Sequence, residues 1–338
     1  MNQKSILHWR PEITYIIAIA LVVAIGLHPE WLSTDVIFNS SRISTFKTML
    51  ISIVLETLPF LLLGVVISSL MHVFIPEAWI RRFIPKNPVL GILIACLLGI
   101  LFPVCECGLI PVVRRLMAKG MPLYTGVAFM LAGPVVNPVV YSATYVAFRS
   151  RPELVYARMG LAVAVALIIG LVIYFFVKSN PIKDTRESVN VGSPFKVLRV
   201  TKKSGRFNEA IRHAGSEFFD MGKYVIIGSI LAAFIQSFVP RSELLAIGHG
   251  EYTSHLFMMG FAYFLSLCST SDAFVASSFL GTFSASSLLT FMVFGPMIDM
   301  KGTLMLLSVF KARFVVLIIA LLAVIVPLGS LLVDKLFW

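Results

Sequence analysis

Apolar stretches about 20 residues long recur throughout this chain, and that is the length an α-helix needs to cross the hydrocarbon core of a membrane. Only 13% of the 338 residues are charged, whereas 58% are hydrophobic. A soluble protein would carry about 25% charged residues. A membrane β-barrel would instead show short segments of alternating polarity. The sequence therefore predicts an all-α polytopic membrane protein.

The hydropathy pattern predicts about seven to nine transmembrane helices. The predicted helices are 11–28, 46–75, 89–104, 121–147, 153–178, 217–239, 254–268, 286–310 and 314–334. The first of them follows Lys4 and Arg10 and lacks a small-residue cleavage site, so we expect an uncleaved helix.

The longest polar break, 179–206, contains seven Lys and Arg residues: Lys183, Arg186, Lys196, Arg199, Lys202, Lys203 and Arg206. Basic loops beside apolar spans lie on the cytoplasmic side. We therefore divide the chain into an N-terminal helix with an outer loop (1–44), a first membrane repeat (45–178), a cytoplasmic linker (179–206) and a second membrane repeat (207–338).

The two halves resemble each other. Segments 55–76 and 219–240 align without a gap, and later positions align with shifts of a residue or two. The paired positions are Glu56 with Asp220, Gly64 with Gly228, Cys105 with Cys268, Gly133-Pro134 with Gly295-Pro296, and Asn137 with Asp299. Internal repeats are typical of transporters. Chance similarity between apolar helices is the alternative.

The positions of basic residues suggest how these repeats are oriented. If 179–206 is cytoplasmic, the basic residues before and after segment 89–119 are cytoplasmic too, so this segment enters and leaves on one side. It becomes a re-entrant or broken-helix hairpin with its tip at 103–108, and 254–285 becomes a second hairpin from the other side. The repeats are then inverted. If both hairpins cross completely, the repeats are parallel.

The first tip contains two thiols, Cys105 and Cys107, and the degenerate second tip contains Cys268. Cys105 and Cys107 can bind one soft cation or arsenic-like centre if the backbone there is not helical. The other interpretation is that they are small packing residues, which is the favoured role for Cys96.

Each tip also carries an acid. Ionisable groups at membrane depth are costly and usually functional. Glu106 and Asp272 are therefore candidates for groups that couple transport to a proton, and the adjacent Ser271 is a candidate substrate contact. A structural role as a helix cap is the alternative for each acid.

Polar residues also follow the two Gly-Pro pairs. Gly-Pro unwinds membrane helices and frees carbonyl groups that can line a cavity, so Asn137 and Asp299 are candidate cavity residues. Glu56 and Asp220 are secondary candidates, because interfacial or interhelical pairing explains them equally well. Arg114 is a further candidate, although cytoplasmic anchoring is the favoured role for Arg114, Arg115 and Lys119.

Several motifs resemble the bacterial predicted-permease family that includes organoarsenical efflux permeases. They are Pro103-Val104-Cys105-Glu106-Cys107-Gly108-Leu109-Ile110-Pro111, Lys119-Gly120-Met121-Pro122, Ala132-Gly133-Pro134-Val135-Val136-Asn137-Pro138, Ser271-Asp272-Ala273-Phe274-Val275-Ala276 and Gly295-Pro296-Met297-Ile298-Asp299. The resemblance covers most of 45–335. It implies a multi-pass permease of the bacterial cytoplasmic membrane whose cysteines meet a thiophilic substrate, in some members beside a small membrane partner subunit.

We therefore expect a secondary transporter rather than an enzyme, with no cofactor. Its expected partners are membrane lipid, a small solute and, as one option, further copies of the chain in a homo-oligomer, but not nucleic acid. A divalent metal permease, for zinc, that works with a partner subunit is one rival. A membrane thiol oxidoreductase is another, although Cys-x-Cys lacks the two-residue spacing of the usual redox motif. A non-transporting subunit that scaffolds a partner is a third.

Overall fold

The computed structural model describes residues 40–74, 87–101, 105–177, 181–182, 206–238 and 251–337. Within these ranges the chain is helical, and the only β-type pairing is an isolated bridge between Ile182 and Phe310. The all-α prediction is confirmed. The predicted helix 11–28, most of the basic linker and the tip residues 102–104 lie outside the described ranges.

The first half contains six helices. They are α1 (Ser40–Phe74), α2 (Pro88–Leu101), α3 (Glu106–Ala118), α4 (Leu123–Ala132), α5 (Pro138–Ala147) and α6 (Glu153–Phe176). The second half follows the same order of long and short elements. Its helices are α7 (Arg206–Phe238), α8 (Glu251–Leu265), α9 (Ser271–Ser277), α10 (Ala285–Met297), α11 (Met300–Val309) and α12 (Ala312–Phe337).

Five segments of the described chain are long and apolar enough to cross a membrane. They are Ile43–Leu70, Glu153–Phe176, Ala214–Ser237, Ala285–Val309 and Ala312–Leu336. Helices α2 and α4 are apolar but shorter. The described ranges thus hold fewer candidate spans than the seven to nine that hydropathy predicts.

Two of the predicted helices are each interrupted, as the Gly-Pro pairs within them indicated. The predicted helix 121–147 is divided into α4 and α5, and 286–310 into α10 and α11. Asn137 and Asp299 have extended backbones, and each accepts a hydrogen bond from a backbone N–H of the helix that follows. A capping side chain of this kind starts a new helix and satisfies one of its unpaired N–H groups.

Helix α1 packs along α7 and also against α3. At the second contact two glycines meet, because a Cβ atom added to Gly64 would overlap the backbone of Gly108. Such close approach of helix backbones is the usual role of small residues in membrane interfaces. Gly64 therefore allows α3 to lie close against α1.

Replacement of Gly64 by Ala is expected to destabilise the protein by about 1–3 kcal/mol, because the added methyl group must push α3 away from α1. Thermal unfolding in detergent measures the change. Gly222→Ala on α7 is the matched control, since an added Cβ there meets no atom within 4 Å. If both variants unfold at the same temperature, the α1–α3 contact is not tight.

Candidate functional site

Cys105 and Cys107 lie where α3 begins. Cys105 is the extended residue before the helix, with φ −70° and ψ 171°, and Cys107 is in the first turn. Cys105 and Cys107 flank the helix start, and their thiol groups lie close enough to interact electrostatically. Cys107 is buried and Cys105 is partly buried. Two thiols in contact at a helix start are suitable ligands for one soft centre.

Glu106, between the two thiols, is buried with 6% of its surface exposed. Its Oε2 atom has no hydrogen-bond partner. Its Cγ lies 3.8 Å from the position that a Cβ on Gly302 would occupy, at the start of α11. The first tip therefore directs a carboxylate with an unsatisfied oxygen toward a helix of the second half.

Lys301 occupies that region. It is 4% exposed, and its Nζ lies 3.8 Å from Asp299 Oδ2. It also interacts electrostatically with Glu106, Cys105 and Cys107. We call Cys105, Glu106, Cys107, Asp299 and Lys301 the central cluster.

Sequence reasoning missed Lys301, although a lysine within an apolar stretch is itself a signal of function. Its position two residues after the candidate Asp299 was the available clue.

Cys268, in the second tip, is partly buried beside the central cluster and interacts electrostatically with Glu106 and Cys105. Thr270 Oγ1 lies 3.6 Å from the Cys268 sulfur and donates to it. All three cysteines of the two predicted tips thus interact electrostatically with Glu106.

Asp272 has a different partner. Its carboxylate binds Arg158 Nη2 of α6, with an Oδ2–Nη2 distance of 2.8 Å, and Arg158 is completely buried. Arg158 also donates to the Thr144 hydroxyl at 2.7 Å and to the Ser269 carbonyl at 3.0 Å. This ion pair fixes the second tip to α5 and α6.

The remaining candidates are scattered. Ser271 donates a 3.0 Å hydrogen bond to Glu56 Oε1 on α1. The buried Asn137 caps α5, with its Oδ1 accepting from Val140 N at 2.8 Å. Asp220 does not join the cluster, since its side chain is 68% exposed and pairs with Lys223 at 3.8 Å.

Arg114 is partly exposed on α3, and its neighbour Arg115 makes the notable contact. Arg115 pairs with the buried Glu217 of α7 at 3.4 Å, and Ser68 of α1 donates to the same carboxylate oxygen at 3.1 Å. Sequence reasoning assigned Arg115 to a cytoplasmic anchor and missed Glu217. These contacts join α3 to α1 and α7.

The fit to a metal ion is incomplete as the side chains stand. Across the described ranges, no three His, Cys, Asp or Glu side chains come close enough together to hold a metal ion. Cys105 and Cys107 supply two thiols, and Lys301 interacts electrostatically with both while its Nζ lies 3.8 Å from Asp299 Oδ2. A metal ligand set would require movement of Lys301 or of the second tip.

Five apolar segments long enough to cross a membrane, interrupted helices and charges buried between them are typical of a multi-pass α-helical membrane protein of the permease class. The chain belongs to the predicted permease family ArsP_1, whose sequence profile matches residues 42–335. The family resemblance is confirmed. The chain is accordingly a multi-pass protein of the bacterial membrane.

Three relatives illustrate the similarity. The UPF0718 protein YcgR of Bacillus subtilis is 49% identical over 288 residues, which cover 85% of this chain and 96% of YcgR. A Streptococcus mutans protein named "Putative two-component membrane permease complex subunit" is 36% identical over 300 residues, or 88% of this chain and 98% of that protein. The UPF0718 protein YraQ of Escherichia coli is 26% identical over 135 residues, or 40% and 36% of the two chains. No solved structure matches this chain.

Proposed function

We propose that the chain is a secondary transporter for a small thiophilic solute, either an organoarsenical or a soft metal ion, which binds at the central cluster. The observation that carries this proposal is the contact between the Cys105 and Cys107 thiols beside Glu106, whose Oε2 atom is buried without a hydrogen-bond partner. Paired thiols bind soft centres, and an ionisable group is retained at membrane depth when transport uses it.

We also propose that the two halves are inverted repeats with opposed hairpins. Two crossed contacts support this arrangement: α3 of the first tip packs against α11 of the second half, and α9 of the second tip packs against α5 of the first. Helix starts that meet near the middle of a membrane form solute sites in transporters.

The proposed roles follow from the contacts. Cys105, Cys107 and Cys268 bind the solute, and Glu106 carries the coupling proton. Asn137 and Asp299 cap the half-helices that line the cavity. Ser271 and Glu56 hold the second tip against α1. Asp272 is better suited to fixing that tip than to coupling, because Arg158 already neutralises it.

A divalent metal permease with a second subunit is the alternative, and the printed name of the Streptococcus mutans relative, a subunit of a two-component complex, favours it. Transport in native membrane vesicles that disappears when the purified chain is reconstituted alone would support this version. Equal transport in both preparations would favour a carrier that needs no partner.

The proposal is tested with purified protein in lipid vesicles. Trivalent methylarsenical, Cd²⁺ and Zn²⁺ are offered to the wild type, to Cys105→Ser/Cys107→Ser and to Cys96→Ser. The double variant is expected to lose at least about 90% of thiophilic transport, because both soft ligands are gone. Cys96→Ser is the control, since Cys96 is buried in α2.

Equal transport by the double variant and the wild type would make the two thiols packing residues. If the thiols instead cycle through a disulfide with a quinone and no solute moves, the oxidoreductase rival is correct.

A further inference from the structure

We propose that the ammonium group of Lys301 is a tethered cation, which compensates the acids of the central cluster when the carrier is empty and moves aside when a soft metal cation binds. This inference deepens the proposed function and rests on it. It selects, from the two solute classes proposed above, the cationic one.

The charges of the central cluster favour a cation. Glu106 and Asp299 contribute two carboxylates, and Lys301 is the one basic residue of the cluster. Once Glu106 has released the proton that we propose it carries, the two carboxylates hold one negative charge more than Lys301 compensates. A buried carboxylate without a partner is costly, and Glu106 Oε2 has none in the described structure. A positively charged solute would satisfy it.

The aliphatic stem of the Lys301 side chain is held in place by packing, whereas its ammonium group is held only loosely. A Cβ added to Gly228 of α7 would lie 3.0 Å from Lys301 Cα and 3.1 Å from its Cγ, so the helix backbone there packs directly against the stem. The distance from Nζ to Asp299 Oδ2 is 3.8 Å, which is longer than a hydrogen bond. The geometry therefore leaves the charged end free to shift within the cluster.

The buried ion pair between Arg158 and Asp272 has the opposite character. Arg158 binds both oxygens of Asp272, at 3.0 and 2.8 Å, and two further oxygens. A planar guanidinium fork fixes a carboxylate, whereas lysine is a compact charge on a flexible stem. The Arg158–Asp272 pair is therefore suited to a permanent structural contact. The longer Lys301–Asp299 contact is suited to exchange of the ammonium group for another cation.

The first test is Cd²⁺ binding to purified protein in detergent. Binding is measured by the charge-transfer absorption that a Cd²⁺–thiolate bond produces. Lys301→Gln is expected to bind Cd²⁺ at least about tenfold more tightly than the wild type, because no ammonium group competes for the acids. Lys223→Gln is the matched control, since Lys223 Nζ also lies 3.8 Å from a carboxylate, that of Asp220, but at the exposed surface. Unchanged or weaker binding by a folded Lys301→Gln protein would overturn the inference.

Lys301→Arg provides a second test if Lys301→Gln does not fold. The guanidinium fork keeps the charge but can hold Asp299 through two hydrogen bonds, so it should yield less readily to a metal ion. Cd²⁺ binding is expected to weaken at least about tenfold. Wild-type affinity in Lys301→Arg would overturn the inference as well.

Flux measurements separate this inference from the proposed function. In vesicles, Lys301→Gln is expected to exchange internal for external Cd²⁺ but to lose at least about 90% of net uptake, because an empty carrier with uncompensated acids cannot reorient. One outcome is that the wild type binds Cd²⁺ and the lysine variants shift the affinity as expected, but no vesicle shows transport. The proposed transport function is then wrong, while the inference about Lys301 stands. If transport occurs and neither variant changes binding, the tethered cation fails alone.

Discussion

Arg158→Met is expected to lower the free energy of unfolding by about 3–5 kcal/mol, the largest effect on stability that we predict for a single residue. Arg158 is completely buried and binds Asp272 at 2.8 Å. Removal of one partner of a buried ion pair leaves the other charge uncompensated, and that cost is of this size. Equilibrium unfolding in mixed micelles measures it.

Two controls distinguish loss of the ion pair from a simple packing defect. Arg158→Met/Asp272→Asn removes both charges and is expected to recover most of the lost stability. Lys223→Met breaks the exposed pair with Asp220 and should change stability by no more than about 1 kcal/mol. A double variant as unstable as Arg158→Met would mean that packing of the arginine side chain, rather than its charge, stabilises the fold.

Glu106→Gln is expected to reduce net transport at least about 100-fold, which corresponds to about 2.7 kcal/mol, while the fold is retained. The amide keeps the shape of the side chain but neither exchanges a proton nor attracts a cation. Stability should not fall, since the variant removes a buried carboxylate oxygen that lacks a partner. The assay is vesicle flux combined with thermal unfolding.

Glu153→Gln is the matched control for this prediction. Glu153 is exposed in the first turn of α6, so the same chemical change occurs away from the cluster. Transport by Glu106→Gln at the wild-type rate would remove Glu106 from the coupling role and leave it as a structural residue at the start of α3.

The fold class could be predicted because a helix that crosses the hydrocarbon core of a bilayer needs about 20 apolar residues, and stretches of that length are visible in the sequence. The interruptions at Asn137 and Asp299 were also signalled, by Gly-Pro pairs and by a polar residue that can cap a helix. Their consequence was underestimated, since 121–147 and 286–310 were predicted as single helices. At Asn137 the adjacent Pro138 favours a new helix start over continuation, whereas Pro296 lies inside α10 and the break follows it at Asp299.

Glu106, Asp272 and Asp299 could be predicted as candidates, and Lys301 carried a signal that was missed, but the distant ion-pair partners could not be predicted. Asp272 and Arg158 are 114 residues apart, and Arg115 and Glu217 are 102 residues apart. No local pattern reports on contacts of that range. Arg158 lies within the predicted helix 153–178 and was not singled out, although it is completely buried. Only the packing of α6 against the second tip reveals it.

The position of a bound thiophilic ion tests the account most directly. A structure of the protein with Cd²⁺ bound, with the metal located by its anomalous scattering, should show the strongest peak between the Cys105 and Cys107 thiols and the start of α11. Lys301 should be displaced from Asp299 in that complex. A strongest peak at Cys96 or at the protein surface, with the central cluster unoccupied, would contradict the account.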